Sequence, residues 1–264
     1  MKILVPIKQV ATLDEDFELR DDGRDVDPDY FDKDLNEWDE YSVEEALLIK
    51  EASSSDVEVI VVTVGPDDAD EALRKCLAKG ADRAVRVWDD ALEESDSLAI
   101  ARVLARVAEK ESPDMVFAGT QSSDAAYSST GVALAAFLDW PHAAVVSKLD
   151  YAVGADKAVF HRELEGGLLE EGEIQCPCVL TIQLGINAPR YASLRGIKQA
   201  KSKQLDELSL DDLGLSASDV GAQGSASRVR RVFVPEKGQA ELIGGTAAEQ
   251  AERLARIIKE MRGM

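Results

Sequence analysis

Apolar runs at residues 3–7, 57–64, 84–87 and 115–118 alternate with amphipathic helical stretches. The runs are short and rich in Val, Ile and Ala, as strands covered on both faces are. In one helical stretch Ile100, Val103, Leu104 and Val107 stand at i, i+3, i+4 and i+7, with Ser95 and Asp96 as capping candidates ahead of them and an end at Lys110. Val43 and Leu47 mark another, from about residue 39 to 52. A strand, a crossover helix and a further strand of the same sheet form a right-handed unit with parallel strands. The expected fold is therefore α/β, a doubly wound, mostly parallel sheet that receives ligands at the carboxyl ends of its strands.

Those ends are the turn after residues 3–7, the turn after Val64 with Gly65 and Pro66, and the turn after Ala118. The third offers most chemistry. Gly119-Thr120-Gln121-Ser122-Ser123-Asp124, followed by Ser128-Ser129-Thr130-Gly131, supplies hydroxyls and backbone N–H groups at a helix start, where a phosphate can be cradled. The same composition also builds ordinary turns.

The 264 residues are 45% hydrophobic, enough to fill a core without disulfides or a structural metal. Acidic residues number 51 against 30 basic ones, for a net charge of −21, which opposes binding to nucleic acid or to an anionic lipid surface. No apolar run reaches the roughly 18 residues of a membrane span, and residues 1–10 lack a signal-peptide pattern, so a cytoplasmic protein without membrane insertion is expected. Cys76, Cys176 and Cys178 suit neither a disulfide framework nor a zinc site, and Cys176-Pro177-Cys178 leads straight into a strand, which speaks against a redox pair. His142 and His161 stand in no catalytic or metal-ligand context, and Arg162 beside Glu163 and Glu165 reads as a local ion pair.

Further along, Gly166 and Gly167 permit a tight turn and residues 179–182 read as a buried strand. The full strings are Arg162-Glu163-Leu164-Glu165-Gly166-Gly167, then Pro177-Cys178-Val179-Leu180-Thr181, then Asn187-Ala188-Pro189-Arg190-Tyr191-Ala192-Ser193-Leu194 before a Lys-rich segment. In this order they resemble the beta subunit of electron transfer flavoproteins. The resemblance spans nearly the whole chain, and Phe137-Leu138-Asp139-Trp140-Pro141 stands where that family has a similar string.

The resemblance implies a sheet of the adenine-nucleotide-binding, universal-stress-like type over residues 1–186, with residues 187–264 as a recognition loop and an arm wrapped on an alpha subunit. It implies FAD shared with that alpha subunit, and AMP bound by Pro6, by Asn36, Glu37, Trp38 and Asp39, by Val64, and by the loop of Gly119, Thr120, Gln121, Ser122, Ser123, Asp124, Ser128, Ser129 and Thr130. Leu194, with Tyr191 and Arg190, would dock on partner dehydrogenases. Electrons would pass from dehydrogenases such as those of fatty acid oxidation, through FAD, to a membrane quinone oxidoreductase. The chain itself would be an electron carrier subunit with no catalytic acid, base or nucleophile.

Departures bear on details. Asn36-Glu37-Trp38 replaces an Asn-Pro-Phe string, and Ser123-Asp124-Ala125-Ala126-Tyr127 lacks the Asp-Gly-Asp-Thr-like core of electron-bifurcating relatives, which favours AMP over a second FAD. The alternatives are a bifurcating beta subunit with two flavins and a universal-stress-type ATP-binding regulator. Residues 11–35 read as a solvated acidic excursion that, with Trp38, faces the flavin by resemblance; residues 216–227 read as a linker, 229–234 as a short strand and 247–261 as a final helix.

The acidic surplus is spread along the chain, as in proteins that work in concentrated salt where screening removes self-repulsion. A salt-loving source predicts unfolding on dilution from molar to millimolar salt, followed by circular dichroism. Unchanged stability would count against it.

Overall fold

The computed structural model describes residues 1–13, 16–235, 238 and 240–263. In the amino-terminal half, β1 (Lys2–Pro6) is followed by the hairpin β2 (Gln9–Leu13) and β3 (Phe31–Leu35), α1 (Glu37–Ala52), β4 (Glu58–Val64), α2 (Asp70–Lys79), β5 (Arg83–Val87), α3 (Ser97–Glu111), β6 (Met115–Gly119) and α4 (Thr130–Leu138). Then come β7 (His142–Asp150), β8 (Lys157–Leu164), β9 (Leu168–Gln175), β10 (Cys178–Ile182), α5 (Leu194–Ala200), β11 (Leu205–Leu208), α6 (Gly221–Gly224) and α7 (Ala247–Met261). The main sheet has nine strands in the order β11-β5-β4-β1-β6-β10-β7-β8-β9. It is parallel from β11 to β7, and β8 and β9 extend it as antiparallel strands. The doubly wound expectation is met.

Side chains that alternate along each parallel strand separate into two core layers. Ile3, Val5, Val59, Val61 and Phe117 pack under Val43 and Leu47 of α1 and Leu73 and Leu77 of α2. Leu4, Ile60, Val62 and Val116 pack under Val103, Leu104 and Val107 of α3 and Leu134 of α4. Helices therefore cover both faces, which is why these strands are almost wholly apolar. Asp96 caps α3 by accepting from the N–H groups of Leu98 and Ala99, both at 3.0 Å.

Several expectations are corrected. The excursion at residues 11–35 is not wholly irregular, because its ends pair as β2 and β3; Asp14 and Glu15 lie outside the described residues. The chain from residue 187 onward is not wholly an arm outside the sheet. β11 joins the sheet beside β5, and Leu210, Leu213, Leu215 and Val220 enter the second core layer. The supposed linker holds α6 and short helical turns, with Ser225 and Ser227 bonded to Asp96. Residues 229–234 form no strand; Val232 N–H donates to Gly23 carbonyl at 2.8 Å, and among the described residues a ladder has no adjoining strand to grow on. The final helix is present as expected, with no buried residue.

Gly166 and Gly167 turn between β8 and β9 with φ of 78° and 77°, a left-handed conformation that favours glycine. Arg162 does form a local ion pair, but with Glu170 across that hairpin at 2.7 Å. Burial pushes the Cys176 and Cys178 thiols up, so both stay protonated and inert. Among the described residues no cluster could hold a metal ion, and no helix is long and apolar enough to cross a membrane.

Candidate functional site

β1 lies between β4 and β6 in the sheet. From β1 the chain winds outward through β4 and β5, then returns to β6 on the other side. Consequently α1 covers one face and α3 the other, leaving a crevice above the carboxyl ends of β1 and β6, where doubly wound sheets take their ligands. A cavity of ≈ 290 Å³ occupies this crevice, bounded by the ends of β1, β4 and β6 and the starts of α1, α3 and α4.

The cavity brings together most of the residues expected to bind nucleotide: Pro6, Asn36, Asp39, Val64, Gly119, Thr120, Gln121, Ser122, Ser128, Ser129 and Thr130. Glu37, Trp38, Ser123 and Asp124 are not on its wall. Glu37 is exposed to solvent, while the Trp38 indole donates to Gln183 Oε1 at 3.0 Å. Ser123 and Asp124 belong to the loop and brace it from outside, Ser123 through Asn36 and Asp124 through Lys8. Sequence reading missed Lys8, Ser97, Ile100, Leu104 and Tyr127 on the wall, and took Ser95 and Asp96 as capping residues only. Lys8 had a legible signal, being a lone cation just beyond the end of the first apolar run.

Three residues shape the loop between β6 and α4. Asn36 donates from Nδ2 to Gln121 carbonyl at 2.9 Å and accepts at Oδ1 from Ser123 N–H at 3.1 Å. Asp39, buried, accepts from Lys8 N–H at 2.7 Å. A Cβ on Gly119 would collide with Asp39 Oδ1 and stand 2.9 Å from Trp38 Cβ, so glycine is required for β6 to approach α1 this closely. Farther along the loop, Ala126 and Ser128 take φ of 52° and 50°, a conformation that side-chain-bearing residues seldom adopt and that clusters at binding sites.

The two helix starts at the cavity differ. At α3 the Asp96 carboxylate already satisfies the first N–H groups. At α4 no side chain caps the helix, and Ser129 Oγ is instead paired with Ser97 Oγ at 2.7 Å. Uncapped N–H groups beside hydroxyls of Ser128, Ser129 and Thr130 fit a phosphate, because the helix dipole favours an anion there. The remaining wall, with Val64, Ile100, Leu104 and Ala118, is apolar and suits a flat ring.

Burial raises the Asp39 carboxyl to about 7, against the opposing hydrogen bonds from Lys8, Asn36 and Gly119. Asp124 is held lower than usual: burial works against it, but the Lys8 ammonium and the Ser122 hydroxyl prevail. Asp96 is likewise low, with burial outweighed by N–H donors that include Ala99 and Ser227.

Outside the cavity, Leu194, the first residue of α5, is 82% exposed, and Tyr191 just ahead of it is 97% exposed. Arg190 is not free in the same way. Its guanidinium grips the buried Glu44 carboxylate at 2.9 Å and also pairs with Glu51, fastening the segment before α5 to α1. Asn187 reinforces this through Glu45 Oε2 at 2.9 Å.

Fold and cavity together define a doubly wound α/β protein with a ligand-sized crevice at the carboxyl ends of its strands. A family model described as "Electron transfer flavoprotein domain" matches residues 29–213. The electron transfer flavoprotein subunit beta of Methylophilus methylotrophus is 65% identical over 263 residues, covering 100% of both chains. Those of Bradyrhizobium diazoefficiens and Bos taurus are 38% and 34% identical, covering 92% and 99% of this chain and 96% and 98% of their own. The chain belongs to the electron transfer flavoprotein beta subunit family, and the universal-stress-type alternative falls with that result.

Asp39 gives the site a pH dependence. Its folded pKa of about 7 lies above the ordinary 3.8, so between those values the folded state holds the proton that the unfolded state has lost. This group's contribution to stability therefore declines as pH rises through that window. Asp39→Asn mimics the protonated acid and does not titrate. Melting temperatures compared from about pH 5 to about pH 8 will show the variant gaining on the wild type as pH rises. Parallel curves would refute the assignment.

Proposed function

We propose that this chain is the nucleotide-bearing, partner-docking subunit of a heterodimeric electron transfer flavoprotein. It binds AMP in the cavity at the β1–β6 switch point and shares an FAD with an alpha-type subunit. The heterodimer takes electrons from dehydrogenases, such as acyl-CoA dehydrogenases, and delivers them to a membrane quinone oxidoreductase. The observation that carries the AMP reading is the uncapped start of α4 opening into a cavity of ≈ 290 Å³. That volume is at the lower end of the range for small-molecule pockets, which favours a mononucleotide over a dinucleotide such as a second FAD.

FAD supplies reversible transfer of electrons when bound. The residues of this chain that would face it are Trp38 and the acidic β2–β3 excursion, whose part is to orient and to shield from water. Nothing in this reading asks a side chain to act as acid, base or nucleophile. Residues 1–186 would carry the nucleotide site. Much of the chain beyond residue 227 would lie on the alpha subunit: Phe233, Val234, Leu242, Leu254 and Met261 are exposed apolar side chains with no covering element among the described residues.

Co-expression with the alpha-type subunit, purification, denaturation and counting of the released nucleotides test the cofactor assignment. One FAD and one AMP per heterodimer are expected. Two FAD would indicate the bifurcating class, and failure to form a complex would remove the heterodimer reading altogether.

Docking is tested separately at Leu194, an exposed apolar anchor of the kind that dominates binding energy at interfaces. Leu194→Ala is expected to slow electron uptake from a cognate dehydrogenase by about tenfold or more while the heterodimer stays intact. Uptake at the wild-type rate would dismiss this role.

A further inference from the structure

We propose that the Lys8–Asp124 ion pair sets the ligand class of the cavity, admitting nucleoside monophosphates and rejecting di- and triphosphates. The proposal rests on the nucleotide reading above and adds to it the residues that select phosphate number.

Among the described residues, Lys8 is the one Lys or Arg on the cavity wall. Its ammonium is already engaged, with Nζ at 2.7 Å and 2.8 Å from the two Asp124 carboxylate oxygens and 3.4 Å from Ser122 Oγ. Its main chain is fixed as well, since its N–H donates to buried Asp39. The carboxyl groups on the wall are those of Asp39 and Asp96. The wall thus has, among the described residues, no uncommitted positive charge to offer a polyanion.

One phosphate does not need such a charge. The uncapped start of α4 presents the equivalent of roughly half a positive charge together with N–H and hydroxyl donors, which is matched to a single phosphate group. A further phosphate needs a charge-assisted partner. The cation at hand is Lys8, and drawing it away strands the Asp124 carboxylate, whose side chain is only 25% exposed. That carboxylate, which lies behind the wall within ion-pair distance of Lys8 Nζ, would then be left as an uncompensated negative charge near the added phosphate, in a setting where screening by water is incomplete. The ion pair also ties the end of β1 to the β6–α4 loop across 116 residues of sequence.

The two partners predict opposite effects. The heterodimer depleted of nucleotide is titrated with AMP and with ADP by calorimetry, for the wild type, Asp124→Asn and Lys8→Met, with thermal melts to verify folding. Wild type is expected to prefer AMP by about tenfold or more. Asp124→Asn removes the repelling charge and frees the ammonium, so the preference shrinks by about tenfold, chiefly through tighter ADP binding. Lys8→Met leaves the carboxylate unpaired, so ADP binding weakens more than AMP binding and the preference for AMP widens. Asp124→Ala repeats the first measurement with a smaller side chain and should shift the ratio in the same direction.

If both substitutions weaken AMP and ADP alike and leave their ratio fixed, the pair is only a loop brace and the proposal is overturned. Wild-type binding of AMP and ADP with equal affinity overturns it too. Wild type that binds neither nucleotide removes the underlying reading of the cavity, an outcome distinct from an unchanged ratio.

Discussion

The direction of winding at β1 is the constraint on which the site depends. A parallel strand buried on both faces must have helices on both, and each crossover can place its helix on one face only. Because the strands that flank β1 are reached by crossovers that run in opposite directions across the sheet, the crossover helices α1 and α3 lie on opposite faces and the carboxyl edge between β1 and β6 stays uncovered. The cavity is thus a consequence of topology before any side chain is considered. Its floor is apolar because the same strands that end there continue downward as the core.

What makes the opening a site and not a void is the way the β6–α4 loop is secured. A loop rich in serine can adopt many turns, and this one is restricted from α1: Asn36 bonds it at both Gln121 and Ser123, and Asp39 approaches Gly119 closely enough to exclude a side chain. The strained backbone at Ala126 and Ser128 is held between these bonds on one side and the Ser97–Ser129 hydroxyl pair on the other. Burying a carboxylate at Asp39 opposes its ionisation, and the hydrogen bonds from Lys8, Asn36 and Gly119 offset only part of that cost. Pre-organisation here is therefore obtained at the expense of local stability.

The sequence disclosed the elements whose signal is local. Residues 57–64 and 115–118 are apolar beyond what a surface strand tolerates, and the i, i+3, i+4 spacing around Val103 has one structural meaning, so the parallel sheet and its ligand edge were legible. The β6–α4 loop stood out in the sequence through its composition together with its place after a strand. The features that stayed hidden depend on contacts between distant segments. Leu205 to Leu208 is a short acidic stretch, and only its docking beside β5, with Arg86 of that strand paired to Glu207, makes it a strand. The grip of Arg190 on α1 stayed hidden because nothing local reveals that Glu44 and Glu51 sit opposite it. Residues 229–234 failed in the other direction: their apolar character is real, yet a strand requires a neighbour, and the described residues supply none.

The unmet requirement of that last segment extends to the end of the chain. α7 is capped by Thr246 and Glu249 and is amphipathic, but its Leu254, Ile258 and Met261 remain open to solvent. A helix with an apolar stripe is stabilised mainly by what packs on the stripe. The root of this arm, by contrast, is well anchored. Asp96 Oδ2 accepts from the N–H groups of Ala226 and Ser227 at 2.9 Å and 2.7 Å, and Glu94 pairs with Arg228 at 3.1 Å. Asp96 is also part of the cavity wall. The arm therefore departs from the edge of the crevice itself, and its root is attached, through one carboxylate, to the same turn that begins α3. The shape of the crevice and the direction of the arm are in this way two demands on a single short segment, which accounts for the concentration of serine and aspartate caps from Ser95 to Ser97 and from Ser225 to Ser227.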